Sequence, residues 1–345
     1  MSAELWRPTS GCGPDCLPVP GQVPAVPLAR QAARLLGVLG MLLAGAGVVA
    51  LLPVLPAAPG AAAVRGWARL TARALGVRLE VRGRPPRRRA LLVANHVSWL
   101  DVLAVLAVAP ARMLAKREVR AWPLVGPLAR AAGALFVDRA RPRELPATVA
   151  RIAGALRAGD PVAVFPEGTT WCGTPTAGDC RPGRGFRPAV FQAAIDAGAP
   201  VVPLRVGYRC AATGEATTAA AFLGDDTLWQ SVRRVLAARD LVVTVRVAAA
   251  LHPAPDADRR ALARAAESAV HLVPAASRPV AALSGPGPVG VVLPVRPAAA
   301  GPASAADPGG AAEVRAGAGL RAGADRLGGA DVAGPTDGRE LTLAA

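Results

Sequence analysis

Between Arg34 and Arg65 the chain carries no charged residue, and Leu35 to Leu52 is an unbroken stretch of apolar residues and glycine ahead of Pro53. As a helix rising 1.5 Å per residue, that stretch is about 27 Å long, close to the ~30 Å of a bilayer's hydrocarbon core. The pattern predicts a hydrophobic membrane anchor over residues 31–62, either transmembrane or re-entrant with its bend at Pro53 and Pro56. A cleavable signal peptide fits less well: Ala61-Ala62-Ala63 resembles a cleavage site, but more than thirty residues precede the apolar run. A core helix of a globular domain would carry more polar positions. Orientation stays open because arginines flank both ends.

From Val64 to Gly76 the pattern becomes amphipathic. Arg65, Arg69 and Arg73 fall at intervals of four, while Trp67, Leu70 and Ala74 form a second stripe. This spacing predicts a helix lying in the membrane interface, arginines toward phosphates and Trp67 in the headgroup zone.

Beyond it, short apolar runs alternate with longer helical periods. Strands are predicted at Val77–Val81, Ala90–Ala94, Arg112–Ala115, Ala134–Val137, Val162–Phe165, Val201–Val206 and Leu241–Val247. Helices are predicted at Trp99–Val108, Pro123–Ala132, Arg143–Ala158, Pro188–Ala197, Thr227–Ala238 and Ala257–Val270. That alternation gives an α/β domain over 63–272 with a mostly parallel central sheet flanked by helices, following the N-terminal membrane-associated helical segment. Ligands in such sheets gather beyond the carboxyl ends of the strands. Residues 1–30 read as a disordered Pro/Gly-rich leader, and 273–345 as a disordered Ala/Gly/Pro-rich tail.

Charge sharpens this picture. The chain has a formal net charge of +16, yet from Ala275 onward six arginines face six acids, so the excess belongs to the folded part. A basic folded part suggests an anionic partner: a phosphorylated substrate, a membrane face or nucleic acid. Nucleic acid is disfavoured, since one tyrosine and five scattered phenylalanines offer no stacking platform. The five cysteines, Cys12, Cys16, Cys172, Cys180 and Cys210, include no CxxC pair and no neighbouring histidine. That spacing predicts free thiols in a reducing compartment and no zinc site.

Chemistry concentrates at strand exits. Asn95-His96-Val97-Ser98-Trp99-Leu100-Asp101 leaves the second strand and opens a helix. Ser98 and Asp101 have the spacing of a capping box, which alone would account for the acid. His96 lies before the helix, where the turn can fold its ring back onto Asp101, leaving one ring nitrogen free as a base. No GxSxG elbow occurs, so a serine acyl-enzyme of that kind has no support. A His/Asp pair without a protein nucleophile suits an acceptor that brings its own hydroxyl to an activated acyl carbon.

Two further stretches sit at the same kind of place. Gly133-Ala134-Leu135-Phe136-Val137-Asp138-Arg139 ends a strand in an acid and a base, which by themselves make an ordinary surface ion pair. Val164-Phe165-Pro166-Glu167-Gly168-Thr169-Thr170 runs a strand into a turn. An arginine at a strand end suits phosphate, and a glycine turn with hydroxyls suits anion or polyol oxygens.

The order Asn95-His96-x4-Asp101, Gly133-x2-Phe136-x-Asp138-Arg139, Phe165-Pro166-Glu167-Gly168-Thr169 and Val201-Val202-Pro203 resembles the glycerolipid acyltransferase family, best known for 1-acylglycerol-3-phosphate O-acyltransferases. The resemblance covers roughly residues 70 to 255. It implies His96 as base and Asp101 as its orienting partner. It implies an acceptor site including Arg139, Glu167, Gly168, Thr169 and Thr170, and an acceptor- or acyl-lining block at Pro203. It also implies a lysolipid acceptor, an acyl-CoA or acyl carrier protein thioester as co-substrate, no cofactor and no metal. The enzyme would sit on the cell membrane with its catalytic domain facing the cytoplasm. One position departs from the pattern: many members with phosphate-bearing acceptors have arginine where this chain has Thr170, whereas relatives acylating lyso-ornithine lipids or lysophospholipids can show threonine.

Overall fold

A computed structural model of the chain describes residues 10–19, 21–86, 89–123, 125–173, 180 and 185–272; the tail from 273 onward and residues 1–9 lie outside the described residues. The anchor region, expected to be transmembrane or re-entrant, falls within two helices. Helix α1 (Leu28–Leu51) ends shortly before Pro53, and α2 (Ala57–Ala74) begins after Pro56 and packs against it. Proline is well placed there, since it cannot continue the first helix and pre-sets the start of the second. Among the described residues α1 alone is long and apolar enough to cross a membrane, with mean hydropathy 2.0 over its most apolar window and 6% of that window buried. It is therefore no core helix.

Trp67 departs from the expected interfacial stripe. Its indole lies over Gly45 of α1 and donates to the Met41 carbonyl at 2.7 Å, while Leu70 is exposed. The small residues Ala68, Thr71 and Ala72 are the buried face of α2, and the helix packs against α3 (Leu100–Val108). Small side chains let helix backbones approach closely, so the indole fits the glycine gap between the two helices and is satisfied there.

The remaining elements are β1 (Arg78–Arg82), β2 (Leu91–Ala94), β3 (Arg112–Lys116), α4 (Val125–Ala131), β4 (Leu135–Val137), α5 (Leu145–Arg157), β5 (Val162–Val164), α6 (Ala189–Ala197), β6 (Val201–Cys210), α7 (Leu228–Ala237), β7 (Leu241–Val247) and α8 (Arg259–Leu272). The seven strands form one sheet in the order β1-β7-β6-β2-β5-β3-β4. Every neighbouring pair is parallel except β6 and β7. The central strand β2 is buried throughout, as a strand covered on both faces must be. Leu92 and Ala94 point into a core shared with α3 and α7; Leu91 and Val93 point into the opposite core, with α5, α6 and α8.

That division locates a crevice. The chain leaves β2 through α3 on one face, and leaves the adjacent β5 through α6 on the other. Neighbouring parallel strands whose connections diverge to opposite faces open a gap at their carboxyl ends, where ligands bind in sheets of this kind.

The leader is not wholly unstructured. Residues Pro14–Cys16 make a 3-10 turn, Val26 donates to the Ala237 carbonyl at 2.9 Å, and Cys12 and Val26 are buried. Those backbone bonds and buried apolar groups compensate the ordering entropy that the Pro/Gly-rich composition suggests would prevail.

Candidate active site

The crevice is built from the turn after β2. Asn95 prolongs the β2–β6 ladder with its side chain: Nδ2 donates to the Val206 carbonyl at 2.9 Å, and the Val206 N–H donates to Oδ1 at 2.8 Å. An amide side chain carries the same donor and acceptor as a peptide, so the backbone can leave the sheet at Asn95 without orphaning Val206. His96 is released by that substitution.

Asp101, fully buried in the first turn of α3, draws the segment inward. Its Oδ2 accepts from His96 Nδ1 at 2.9 Å, the Val97 N–H at 2.6 Å and the Ser98 N–H at 2.8 Å. The other oxygen, Oδ1, accepts from the Tyr208 hydroxyl at 2.5 Å. The acid limb of the expected capping box is thus present, but the Ser98 hydroxyl accepts from the Leu100 N–H at 3.2 Å instead of the third helical residue. A carboxylate meeting Nδ1 fixes the proton there and leaves Nε2 with a lone pair.

Three more contacts hold the imidazole and its backbone. The Phe165 ring stacks on His96 with centroids 4.0 Å apart and planes 11° from parallel. The His96 N–H donates to Glu167 Oε2 at 2.7 Å, and its carbonyl accepts from the Trp171 N–H at 2.8 Å. The side chain keeps 21% exposure, enough for the unbonded nitrogen to meet a ligand.

Glu167 sits behind the histidine. It is 6% exposed, and burial first, then the charges of Asp101 and Glu267, raise its pKa to about 8. From that position the carboxyl supports the His96 backbone through Oε2, while Oε1 lies 3.9 Å from His271 Nε2. Gly168 closes the turn at φ +79°, a conformation that favours glycine. Thr169 is half-buried beside it, and the Thr170 hydroxyl donates to the Phe222 carbonyl.

A basic rim lies on the β3–β4 side. Asp138 pairs with Arg117 at 2.7 Å and with Arg141 at 3.7 Å, so it does not pair with Arg139. Arg139 instead donates to the Gly168 carbonyl, bringing the second stretch onto the third. Burial first, and the Arg187 charge second, bring its pKa down to about 10; the surrounding protein and then Arg139 likewise lower that of Lys116, the sequence's only lysine. Like charges gathered with little solvent favour an anion in their midst.

Pro203 pairs with Val93 inside the sheet and is buried. Val201 exchanges both backbone bonds with Leu251, and Pro203, two residues on, offers only its carbonyl to Ala248 on the same side. A residue with no N–H is tolerated at that gap between Val247 and Leu251, which gives the proline a structural reason to be there. The four sulfurs of Cys12, Cys16, Cys172 and Cys180 also converge, although 160 residues separate Cys12 from Cys172.

Tyr208 is the residue that sequence reasoning passed over. It lies 107 positions from Asp101, and only the placement of β6 beside β2 brings them together.

Residues 78–207, from β1 into β6, match the family model described as Acyltransferase. The lyso-ornithine lipid O-acyltransferase of Pseudomonas aeruginosa is 36% identical over 254 residues, covering 71% of this chain and 92% of that protein. The 1-acyl-sn-glycerol-3-phosphate acyltransferase of Neisseria gonorrhoeae is 33% identical over 203 residues, covering 58% of this chain and 76% of that protein. A crystal structure of the 1-acyl-sn-glycerophosphate acyltransferase of Thermotoga maritima has a TM-score of 0.48 and 20% identity, covering 69% of this chain and 94% of that one. With a 36% identical relative spanned almost end to end and the family match lying over the strands that carry the crevice, the chain belongs to the glycerolipid acyltransferase family and is an enzyme that transfers acyl groups.

Proposed function

We propose that the protein moves a fatty acyl group from an acyl-CoA or acyl carrier protein thioester to the free hydroxyl of 1-acylglycerol 3-phosphate, giving phosphatidic acid. The observation that carries this reading is His96, whose Nδ1 is committed to Asp101 at 2.9 Å while Nε2 remains free at the crevice. Nε2 takes the acceptor's hydroxyl proton as its oxygen attacks the thioester carbonyl. The tetrahedral intermediate collapses, the C–S bond breaks, and the imidazolium returns its proton to the departing thiolate. Asp101 stabilises the transient imidazolium and holds the ring in register.

Arg139, with Lys116 and Arg187 close by, supports an acceptor bearing phosphate. Guanidinium binds phosphate through paired bonds. Helix α1 supports a membrane position from which a lysolipid is taken laterally, with the catalytic domain on the cytoplasmic side where thioester donors are found.

A second reading has its own support. Thr170 stands where many phosphate-binding members have arginine, and the Pseudomonas relative is named for lyso-ornithine lipid. One labelled acyl donor offered with lysophosphatidic acid, lyso-ornithine lipid, lysophospholipids and glycerol 3-phosphate tests both. The first reading requires the highest kcat/KM with lysophosphatidic acid; preference for lyso-ornithine lipid replaces it with the second.

A further inference from the structure

Four of the five cysteines come together from two distant parts of the chain. Cys12 and Cys16 bracket the 3-10 turn of the leader, and Cys172 and Cys180 belong to the segment after the Glu167 turn. Their Sγ atoms all lie within 4.8 Å of one another, with Cys16 and Cys180 3.4 Å apart. Zinc–sulfur bonds of about 2.3 Å in a tetrahedron put the sulfurs about 3.8 Å apart. A disulfide would need about 2.05 Å. The observed cluster has the first dimension and not the second. Cys210, on β6, takes no part in it.

One backbone donor already faces the sulfurs. The Cys172 N–H is directed at Cys12 Sγ at 3.3 Å, a backbone donor of the kind that orients and stabilises a ligating sulfur. Cys12 and Cys172 are 4% and 1% exposed and lie in the apolar core beside Trp171. Cys16 and Cys180 are half-buried, which leaves a way in for an ion. Four protein sulfurs complete a tetrahedron with no open position, so such a site is structural. The Cys12-x3-Cys16 spacing suits one half of it; the other half, Cys172-x7-Cys180, has no such signature in sequence.

We propose that Cys12, Cys16, Cys172 and Cys180 bind one zinc ion as a tetrathiolate staple between the leader and the loop that backs the catalytic crevice. On binding, each thiol releases its proton to solvent and forms one Zn–S bond, with no change of oxidation state. Trp171, next to Cys172, donates to the His96 carbonyl, so the staple braces the histidine turn from behind. This assignment is independent of which acceptor the enzyme uses.

The test is metal analysis of the full-length protein, purified in detergent under reducing conditions through a tag that does not chelate metals. About one zinc per chain is the expected content for a single tetrathiolate site. Cys210→Ser keeps that zinc, and the double variant Cys16→Ser/Cys180→Ser falls at least tenfold. Cobalt(II) in place of zinc gives sulfur-to-metal charge-transfer absorption. Wild-type protein that stays well below stoichiometric zinc after incubation with zinc chloride, while all five thiols react freely with a thiol reagent, overturns the assignment. So does a native Cys16–Cys180 disulfide found by mass spectrometry, or iron in place of zinc. Because the wild-type measurement decides the question, a variant that fails to fold does not obscure it.

Discussion

The Tyr208 hydroxyl donates to Asp101 Oδ1 at 2.5 Å, the carboxylate oxygen that His96 does not use. The only tyrosine of the chain thereby fixes the rotation of the acid that fixes the base. Removing the hydroxyl leaves Oδ1 fully buried without that donor, which costs about 1–3 kcal/mol. Tyr208→Phe is therefore expected to lower the thermal midpoint and to reduce kcat by about tenfold with little change in KM. Thermal unfolding and initial rates with saturating donor check both; a variant equal to wild type in both would show that Asp101 is held without Tyr208.

His96→Ala is expected to reduce acyl transfer by about 10²–10⁴-fold, the usual contribution of a general base. Membrane association should not change, because the helix long and apolar enough to cross a membrane is α1, which does not include His96. Labelled acyl-CoA turnover in washed membranes measures the first, and fractionation the second. Near-normal turnover would remove the proton-transfer assignment.

The His96–Asp101 contact was legible because it is local: one turn and one helix start decide it. The alternation of short apolar runs and helical periods likewise located the seven strands of the sheet, most plainly β2 and β5, which are buried throughout and carry no polar residue. Side-chain direction across the sheet was not legible. Tyr208 meets Asp101, Glu167 turns behind His96, and Pro203 lies in the sheet interior only because β6 and β5 flank β2, an order no residue pattern states. The same holds for Cys12 and Cys172, neighbours in space but 160 residues apart. Trp67 was misplaced for a related reason: a helical stripe says which residues share a face, not whether that face meets lipid or Gly45.

Arg139 donates to the Gly168 carbonyl and keeps further guanidinium donors for a ligand. Its attraction for phosphate is felt in the ground and transition states alike, so Arg139→Ala is expected chiefly to raise KM for lysophosphatidic acid, by about tenfold or more. Arg139→Lys should recover only part of the loss, since an ammonium cannot make the paired contact. Steady-state kinetics at varied acceptor concentration check this, and an unchanged KM would place the phosphate elsewhere.

Glu167 makes stability depend on pH with a defined sign. Its pKa is about 8 in the fold against an ordinary 4.5, because burial and the nearby acids Asp101 and Glu267 oppose its charge. Between those values the folded chain holds a proton that the unfolded chain has released, so stability falls as pH rises. The contribution is complete below about pH 4.5 and is lost by about pH 8. Glutamine keeps an oxygen to accept the His96 N–H at 2.7 Å but cannot ionise. Glu167→Gln should therefore melt above wild type at pH 8 to 9 and converge with it toward pH 5. The difference is expected to be on the order of 1 kcal/mol or more, since one pKa unit is worth about 1.4 kcal/mol. Thermal melts across pH 5 to 9 in one detergent measure it. Melting curves that stay parallel over that range would mean that Glu167 is ionised throughout, with the charge accommodated by its neighbours, and the carboxyl behind the histidine would then be a fixed anion.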